Sequence, residues 1–514
     1  MSSRTKNSTR NMLSGVINRL IIIVFPFIIR TLINQKLGAE YLGLSSLFKS
    51  VLTMLSLAEL GFSSAIVFSM YKPIALGDKD QINSLLNFYR KTYIIIGLII
   101  LIIGLCIIPF LPHFMNGTAP ADINIYAIYL IYLANTVVSY FLSAYKESLL
   151  VAHQKVHVSQ DIISVCYLAM YSLQILAVVI FKNYYLYSLI ILFITIVINI
   201  VRSIIVKRMY PEYECRGELS EETKNDLKKR ILGLLVYKIS EVCRNSFDSI
   251  ILSSFLGLVV LANYQNYYYI MTAVISIFTL ISNAIIASIG NSIAVETKAK
   301  NHADFIAILL LYGWIASWCS CCLACLYQPF MKIWMGTESL FEYKIVLLFC
   351  IYFFVLSIAN VCFTYRQAAG LWWEDRVRPV AEAVSNLLLD ILLVKRFGAA
   401  GILLASITTI VFLNIPLSIR VLFKHYFEMS TKSYWKHLYY IGLFGVISGL
   451  AAYGICSRIS FTGWPEIIAK GLICVIVPNI ILLFLYNKLE GFKRSKEIIS
   501  NMIPMKIRKS FMRI

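Results

Sequence analysis

Charged residues are scarce in this 514-residue chain: they make up 14% of the sequence, whereas 59% of the residues are hydrophobic. A soluble globular protein has roughly 25% charged and about 45–50% apolar residues, so this composition excludes a soluble enzyme carried by one membrane anchor. It also excludes intrinsic disorder, which requires low hydrophobicity and high charge. Because apolar residues recur along the whole length, we expect one large helical membrane unit.

Acidic residues and histidine are especially few. The chain has 27 Asp and Glu, 6 His and 47 Lys and Arg, which gives a formal net charge of +20. The positive charge lies mostly in short polar segments between apolar runs, which is typical of a multispanning membrane protein. Since no basic stripe with interleaved aromatic residues occurs, we exclude nucleic acid as a partner.

Familiar catalytic and cofactor motifs are missing as well. We find no Walker loop, GxSxG, HExxH or Rossmann fingerprint in a strand context, so we expect neither an enzyme nor a bound cofactor. The 12 cysteines are scattered, and most lie in apolar runs. Cys319, Cys322 and Cys325 are three residues apart in one apolar helix and could share a face. No His or carboxylate lies beside them, so we expect no metal site there.

Apolar runs long enough to span a bilayer occur fourteen times. They cover residues 11–33, 41–70, 92–112, 123–145, 159–181, 184–206, 231–254, 258–287, 304–327, 343–365, 378–394, 399–419, 438–457 and 465–486. We therefore predict an all-α polytopic membrane protein, with both termini on one side because the number of spans is even. The segments on that side hold 33 Lys and Arg, and the opposite segments hold 7. This asymmetry predicts that both termini are cytoplasmic.

The most polar internal segment lies between the sixth and seventh spans and suggests a linker between two six-helix lobes. The predicted domains are an N-terminal lobe (1–206), a cytoplasmic linker (207–230), a C-terminal lobe (231–423) and two final spans with a basic tail (424–514). Residues 37–66 align with 256–285 at an offset of 219, and the alignment pairs Gly38 with Gly257. The two lobes are therefore predicted to be parallel repeats, as in many transporters.

Ionisable residues inside the predicted spans fall on common helical faces. The seventh span places Lys238, Glu241, Arg244 and Asp248 within 120° of arc, and the eleventh places Arg378, Glu382, Asn386 and Asp390 four residues apart. The second span carries a polar stripe that consists of Ser45, Lys49, Thr53, Ser56, Glu59 and Ser63. In the first span, Arg19, Pro26 and Arg30 lie within 40°. A buried charge in a membrane is costly, so such faces predict a water-filled cavity.

Two other interpretations of these charges stay open. Lys238 with Glu241, Arg244 with Asp248, and Arg378 with Glu382 could neutralise each other as pairs. Arg30, Arg378 and Asp390 lie near span ends, where snorkelling to the interface is expected. We expect the deeper cations Arg19, Lys49, Lys238 and Arg244 to bind an anionic substrate group such as a phosphate.

Carboxylates and a proline complete the predicted cavity. Glu241 and Asp248 are the preferred sites for a coupling proton or sodium ion. Further candidates are Glu59, Glu382 and Asp390. Pro26 removes one backbone hydrogen bond and is predicted to act as a hinge.

Three sequence segments resemble a known family. They are Leu37-Gly38-Ala39-Glu40-Tyr41-Leu42-Gly43-Leu44, Leu60-Gly61-Phe62-Ser63-Ser64-Ala65 and Phe397-Gly398-Ala399-Ala400-Gly401. Together with the span count, they resemble Wzx-type polysaccharide flippases of the multidrug/oligosaccharidyl-lipid/polysaccharide export superfamily. The resemblance implies a V-shaped bundle of two six-helix lobes with two added spans.

The same resemblance implies a function. It implies that an undecaprenyl-diphosphate-linked oligosaccharide is moved from the inner to the outer leaflet by alternating access. Membrane lipids would be partners, as would a polysaccharide polymerase with its chain-length machinery. A multidrug/cation antiporter of the same superfamily is an alternative, although it would favour an acidic cavity. A membrane-embedded glycan polymerase or ligase is a further alternative, although it would need a large outer loop.

Overall fold

The computed structural model describes residues 2–56, 62–117, 119–142 and 144–502, and within this part of the chain every regular element is helical. The chain forms two compact units, residues 1–262 and 263–514. The helices that begin in the first unit are α1 (Ser2–Lys36), α2 (Ala39–Leu55), α3 (Phe62–Leu76), α4 (Lys79–Ile107), α5 (Ile125–Phe141), α6 (Glu147–Ala152), α7 (Val156–Val179), α8 (Tyr184–Met209), α9 (Glu221–Leu256) and α10 (Leu258–Val295).

The second unit begins within α10 and contains eight further α-helices. They are α11 (Lys298–Met335), α12 (Tyr343–Ala368), α13 (Val377–Phe397), α14 (Ala399–Thr409), α15 (Ile415–Leu422), α16 (Lys432–Cys456), α17 (Trp464–Tyr486) and α18 (Phe492–Met502). Two π-helical turns, Ile410–Asn414 and Phe423–Phe427, flank α15. The predicted boundaries of the two lobes and the linker stay predictions.

Each of the fourteen predicted spans corresponds to helix in the described residues. In the described part of the chain, ten helices are long and apolar enough to cross a membrane, and shorter apolar helices add to them. The run at 41–70 forms α2 and α3, and residues 57–61 between them lie outside the described part. The seventh run begins earlier than predicted, because the side chain of Ser220 caps α9 by accepting a hydrogen bond from the backbone N–H of Thr223. The chain is thus an all-α, multi-pass membrane protein.

Helix α13 shows how these helices are oriented. Its polar ladder of Arg378, Glu382, Asn386 and Asp390 is buried, whereas its apolar residues Val380, Val384 and Leu388 are 47–58% exposed. A soluble helix has the opposite arrangement. The exposed apolar face is suited to lipid, so the predicted alignment of the ladder on one face is confirmed, and that face points into the second unit.

Single glycines join three pairs of helices. Gly38 precedes α2 with φ 123°, Gly257 separates α9 from α10 with φ 86°, and Gly398 separates α13 from α14 with φ 59°. Such φ values are rarely accessible to residues with a Cβ atom. Gly38 and Gly257 are the pair aligned by the internal repeat, so both copies of the repeat turn from one helix to the next at the same position.

Candidate functional site

The open face of α2 is polar. Beyond its first turn, α2 exposes only Lys49 and Thr53 among its residues, whereas Leu44, Leu47 and Phe48 are completely buried. Helices α1, α4, α5 and α9 pack around α2. A lipid-facing helix exposes apolar side chains, as α13 does, so this surface of α2 is suited to water and polar ligands. We call the exposed surface at Lys49 and Thr53 the α2 face.

A second cation lies beside the α2 face. Arg30 on α1 is half-buried and is close enough to Lys49 for the two charges to interact. It is also an electrostatic neighbour of Tyr187 on α8. Arg30 was expected to snorkel from a span end, and sequence reasoning missed it as a neighbour of Lys49. The glycine-containing turn between α1 and α2, which reverses the chain direction, is the signal that could have suggested the pairing.

Arg19 lies elsewhere on α1. Its side chain is exposed, and it is preceded and followed by the exposed apolar residues Ile17 and Leu20. Only 11% of the most apolar stretch of α1 is buried against other parts of the chain. Helix α1 is continuous through Pro26, so Pro26 lies within a regular helix, and the predicted hinge stays a prediction.

A buried network of phenol groups holds α2 in place behind the α2 face. The Tyr132 hydroxyl donates to Ser45 Oγ at 3.0 Å and lies 3.2 Å from the Tyr184 hydroxyl. Tyr184 donates to the backbone carbonyl of Tyr41 at 3.2 Å, and the Tyr41 hydroxyl donates to Asp122. These bonds connect α2 to α5 and α8. Ser45 of the predicted polar stripe is therefore a buried hydrogen-bond acceptor, while Lys49 and Thr53 of the same stripe are open.

Several predicted site residues lie outside the described part. The side chains of Lys238, Glu241 and Arg244 on α9 are not described, and Glu59 falls in the segment 57–61. Asp248, one turn further along α9, is described and is 3% exposed. It lies in a buried polar stretch of α9 that also contains Ser246, Ser249 and Ser253. These serines provide hydroxyl groups on the same helix as the carboxylate.

The second unit contains a buried network of charges where α12, α13 and the π turn at residue 414 meet. Arg378 binds both carboxylate oxygens of Asp375 at 2.8 Å and Glu382 at 2.9 Å. Arg366 on α12 also binds Asp375, and the Asn414 amide donates to Glu382 at 2.7 Å. The pair Arg378–Glu382 is therefore formed, and the expectation that Arg378 snorkels is wrong, because its guanidinium is buried among acceptors. We call this set the Asp375 network.

Asp390 ends the polar ladder of α13. It is completely buried, as is Asn386 one turn before it. The expectation that Asp390 snorkels is also wrong, since a side chain that reaches the interface would be exposed. Glu382, two turns earlier on the ladder, binds Arg378 within the Asp375 network.

Cysteines meet in the second unit in a different set from the one expected. Cys319 does not join the cluster, whereas Cys321 and Cys325 on α11 lie beside Cys456 on α16 and Cys474 on α17. The sulfur atoms of Cys321, Cys325 and Cys474 all lie within 4.8 Å of one another. Apolar groups such as Ala452 and Val477 surround them, and buried thiols pack well in such an environment. The expectation of no metal site stays a prediction.

Comparisons with known proteins identify the fold. The sequence matches no family model and no curated protein. Among solved structures, it is similar to the lipid II flippase MurJ in an inward closed conformation, with a TM-score of 0.72 and 14% identity over 93% of this chain and 98% of that chain. An inward-facing multidrug resistance MATE transporter matches with a TM-score of 0.61 and 12% identity over 80% of this chain and 98% of that chain.

A third structure, a mutant of the MATE transporter VcmN from Vibrio cholerae, has a TM-score of 0.57 and 12% identity. The match covers 84% of this chain and 100% of that chain. These neighbours are transporters and flippases and none is named as an enzyme. The chain therefore has the fold of MurJ and of the MATE transporters.

Proposed function

We propose that this chain is a flippase that moves an undecaprenyl-diphosphate-linked oligosaccharide from the cytoplasmic to the outer leaflet by alternating access, for polysaccharide biosynthesis. The observation that carries the proposal is the α2 face, where Lys49 lies open beside Arg30. Two neighbouring cations from adjacent membrane helices, Arg30 on α1 and Lys49 on α2, match a group with two negative phosphates. The fold shared with MurJ supports a lipid substrate.

Electrostatics favours an anionic headgroup at this position. Two like charges that are close enough to interact, such as Lys49 and Arg30, repel each other. A diphosphate between them replaces this repulsion with two attractions and charge-assisted hydrogen bonds, each worth about 1.5–3 kcal/mol. Arg19, Lys238 and Arg244 remain proposed further ligands of the same headgroup. The oligosaccharide would follow the diphosphate, and the lipid tail would stay in the bilayer.

Ion coupling is proposed at the buried carboxylates. Asp248 and Asp390 are candidates for a proton or sodium ion because both carboxylates are buried. Glu382, which binds Arg378 and the Asn414 amide, is a further candidate. Glu241 and Glu59 remain proposed sites as well. The buried Asp248 and Asp390, together with the shared MATE fold, are also what a multidrug/cation antiporter would require. The two functions differ in substrate, because a cationic drug would be repelled by Lys49 and Arg30.

The proposed location is the bacterial inner membrane, with both termini in the cytoplasm. The distribution of 33 against 7 Lys and Arg supports this orientation. We further propose that the flippase supplies a polymerase and its chain-length machinery, since the product of flipping is the substrate of polymerisation on the outer side.

A complementation assay tests the proposal in a bacterial strain that lacks its repeat-unit flippase. The variants Lys49→Gln and Arg30→Gln should each reduce surface polysaccharide at least tenfold when present in the membrane at wild-type level. Lys36→Gln is the matched control, because it removes an exposed cation at the end of α1. Unaltered polysaccharide in both test variants would defeat the assignment of the α2 face.

Sugar preference must be separated from failure to flip. Proteoliposomes that contain undecaprenyl-diphosphate-linked sugars of different composition provide this test, with a membrane-impermeant lectin to report the sugars exposed on the outer face. Transport of a cationic dye in the same vesicles, with no lipid-linked sugar moved, would favour the antiporter. Arg19→Ala in this assay tests whether the headgroup reaches further along α1.

A further inference from the structure

The segment that connects α8 to α9 closes over a cavity in the first unit. The cavity has a volume of about 260 Å³ and lies between the ends of α4 and α8, the turn at Tyr145 and Lys146, and residues 210–215. Two bonds fasten the segment to α4: the Asn87 amide donates to the carbonyl of Gly217 at 2.8 Å, and the backbone N–H of Glu214 donates to Asn83 at 2.8 Å. We call this space the linker cavity.

Three cations line the linker cavity. They are Arg90 on α4, Lys146 after α5 and Lys207 on α8. Among the residues that the structure describes, no carboxylate forms a salt bridge with any of these three cations. The one carboxylate that lines the cavity, Glu214, pairs with Arg216 at 3.8 Å. The Lys146 ammonium instead donates to Ser203 at 2.7 Å. Three cations from three elements thus share one concavity.

The charged form of Lys146 is disfavoured in this position. Burial lowers the pKa of Lys146 from its ordinary value, and the neighbouring Lys207 lowers it further, although Cys215 opposes this. A bound anion would relieve both effects, since it would replace lost solvation and offset the repulsion between the two ammonium groups.

Aromatic rings make the wall of the linker cavity rigid. Tyr210 lies against the His153 ring with centroids 4.4 Å apart, and Tyr213 lies 5.8 Å from the same ring. Lys155 covers the Tyr210 ring at 5.2 Å. His153 is itself anchored to the carbonyl of Leu149 at 2.9 Å. The wall is therefore preformed, which lowers the entropic cost of binding a ligand.

We propose that the linker cavity is a binding site for a phosphate or diphosphate group, held by Arg90, Lys146 and Lys207. At about 30 Å³ for each water-sized group, the cavity holds roughly nine of them, which suits a diphosphate. The group can belong to a lipid headgroup or to a free anion. The site is separate from the α2 face and does not depend on the proposed flippase activity.

Binding is measured on the full-length protein in nanodiscs of phosphatidylcholine, with inorganic pyrophosphate as the probe in isothermal titration calorimetry. A second arm uses native mass spectrometry to follow retention of phosphatidylglycerol. The test variant is Lys146→Gln/Lys207→Gln. Its control is Lys91→Gln/Arg208→Gln, which removes two exposed cations that are adjacent in sequence to cavity-lining residues but do not line the cavity themselves.

We expect the test variant to bind at least tenfold more weakly than wild type and the control to bind like wild type. Saturable pyrophosphate binding would identify a free anion, and selective retention of phosphatidylglycerol would identify a headgroup. Binding of neither probe by wild type, or equal losses in both variants, would overturn the proposal. Lys207→Gln alone serves if the double variant unfolds, because Lys207 is exposed. Repeating the wild-type, test and control titrations in the Lys49→Gln background separates this site from transport, because pyrophosphate binding at the α2 face is then removed and the remaining binding should still be lost in the test variant alone.

Discussion

Replacing Asp375 with asparagine should destabilise the second unit strongly. The carboxylate of Asp375 binds Arg378 through both oxygens and also binds Arg366, and all three side chains are at least 90% buried. Asparagine preserves the size of the side chain but removes its charge. The variant therefore removes the negative charge that two buried guanidinium groups share.

The magnitude follows from the geometry of the Asp375 network. Breaking a buried ion pair by neutralising one partner costs roughly 3–5 kcal/mol, because the remaining charge stays buried and unmatched. In a unit of this size, about 1 kcal/mol shifts the melting temperature by roughly 2–4 °C. We therefore expect Asp375→Asn to lower the melting temperature by on the order of 10 °C.

Intrinsic fluorescence of the detergent-purified protein, recorded at one fixed heating rate, measures this shift. Glu374→Gln is the matched control, since Glu374 is the exposed neighbour of Asp375 and its removal should shift the melting temperature by at most about 2 °C. Adding Arg366→Gln to Asp375→Asn should recover part of the loss, because it removes one of the two buried cations that Asp375 binds. Equal melting temperatures for Asp375→Asn and the control would refute the conclusion that burial makes the charges of the Asp375 network depend on one another.

Three further predictions concern other parts of the fold. Gly43→Ala places a Cβ 2.1 Å from the carbonyl oxygen of Leu258, so size-exclusion chromatography should show far less folded protein than for Gly442→Ala, whose Cβ meets no atom within 4 Å. Burial lowers the pKa of His153 below its ordinary value of 6.5, so the folded state disfavours the protonated ring. The melting temperature should therefore fall as the pH drops through about 6.5. His153→Phe should make the melting temperature depend less on pH. The free energy of unfolding should be about 1 kcal/mol lower for Cys474→Ser than for Cys474→Ala, because a hydroxyl is poorly solvated among the clustered thiols.

Hydropathy and helical period predicted the features that depend on one helix at a time. The ladder from Arg378 to Asp390 was predictable because a spacing of four residues brings side chains to one helical face whatever surrounds it. Gly38 and Gly257, which join helices, were visible in the sequence because they stand at aligned positions of the internal repeat. The pairing of Arg378 with Glu382 also follows from spacing within one helix.

Features that depend on how two helices meet could not be predicted in the same way. The neighbours Arg30 and Lys49 lie on α1 and α2, and their proximity depends on the turn at Gly38, whose dihedral angles the sequence does not specify. Cys474 lies far along the chain from Cys321, so no spacing rule connects them. The linker cavity was missed because residues 210–215 have no apolar periodicity. Their position depends on tertiary contacts, which are the bonds to α4 and the packing of Tyr210 and Tyr213 on His153.

The reversed polarity of α13 has a consequence for how the chain enters the membrane during synthesis. A helix that carries Arg378, Glu382 and Asp390 inserts poorly alone, since each charge costs free energy in the hydrocarbon core, up to roughly 2.5–3.5 kcal/mol for an Arg or Asp at the middle of a span. Its partner α14 is strongly apolar and follows after a single residue, Gly398. We expect the two helices to leave the translocon together as a hairpin, with the charges of α13 already covered before lipid reaches them.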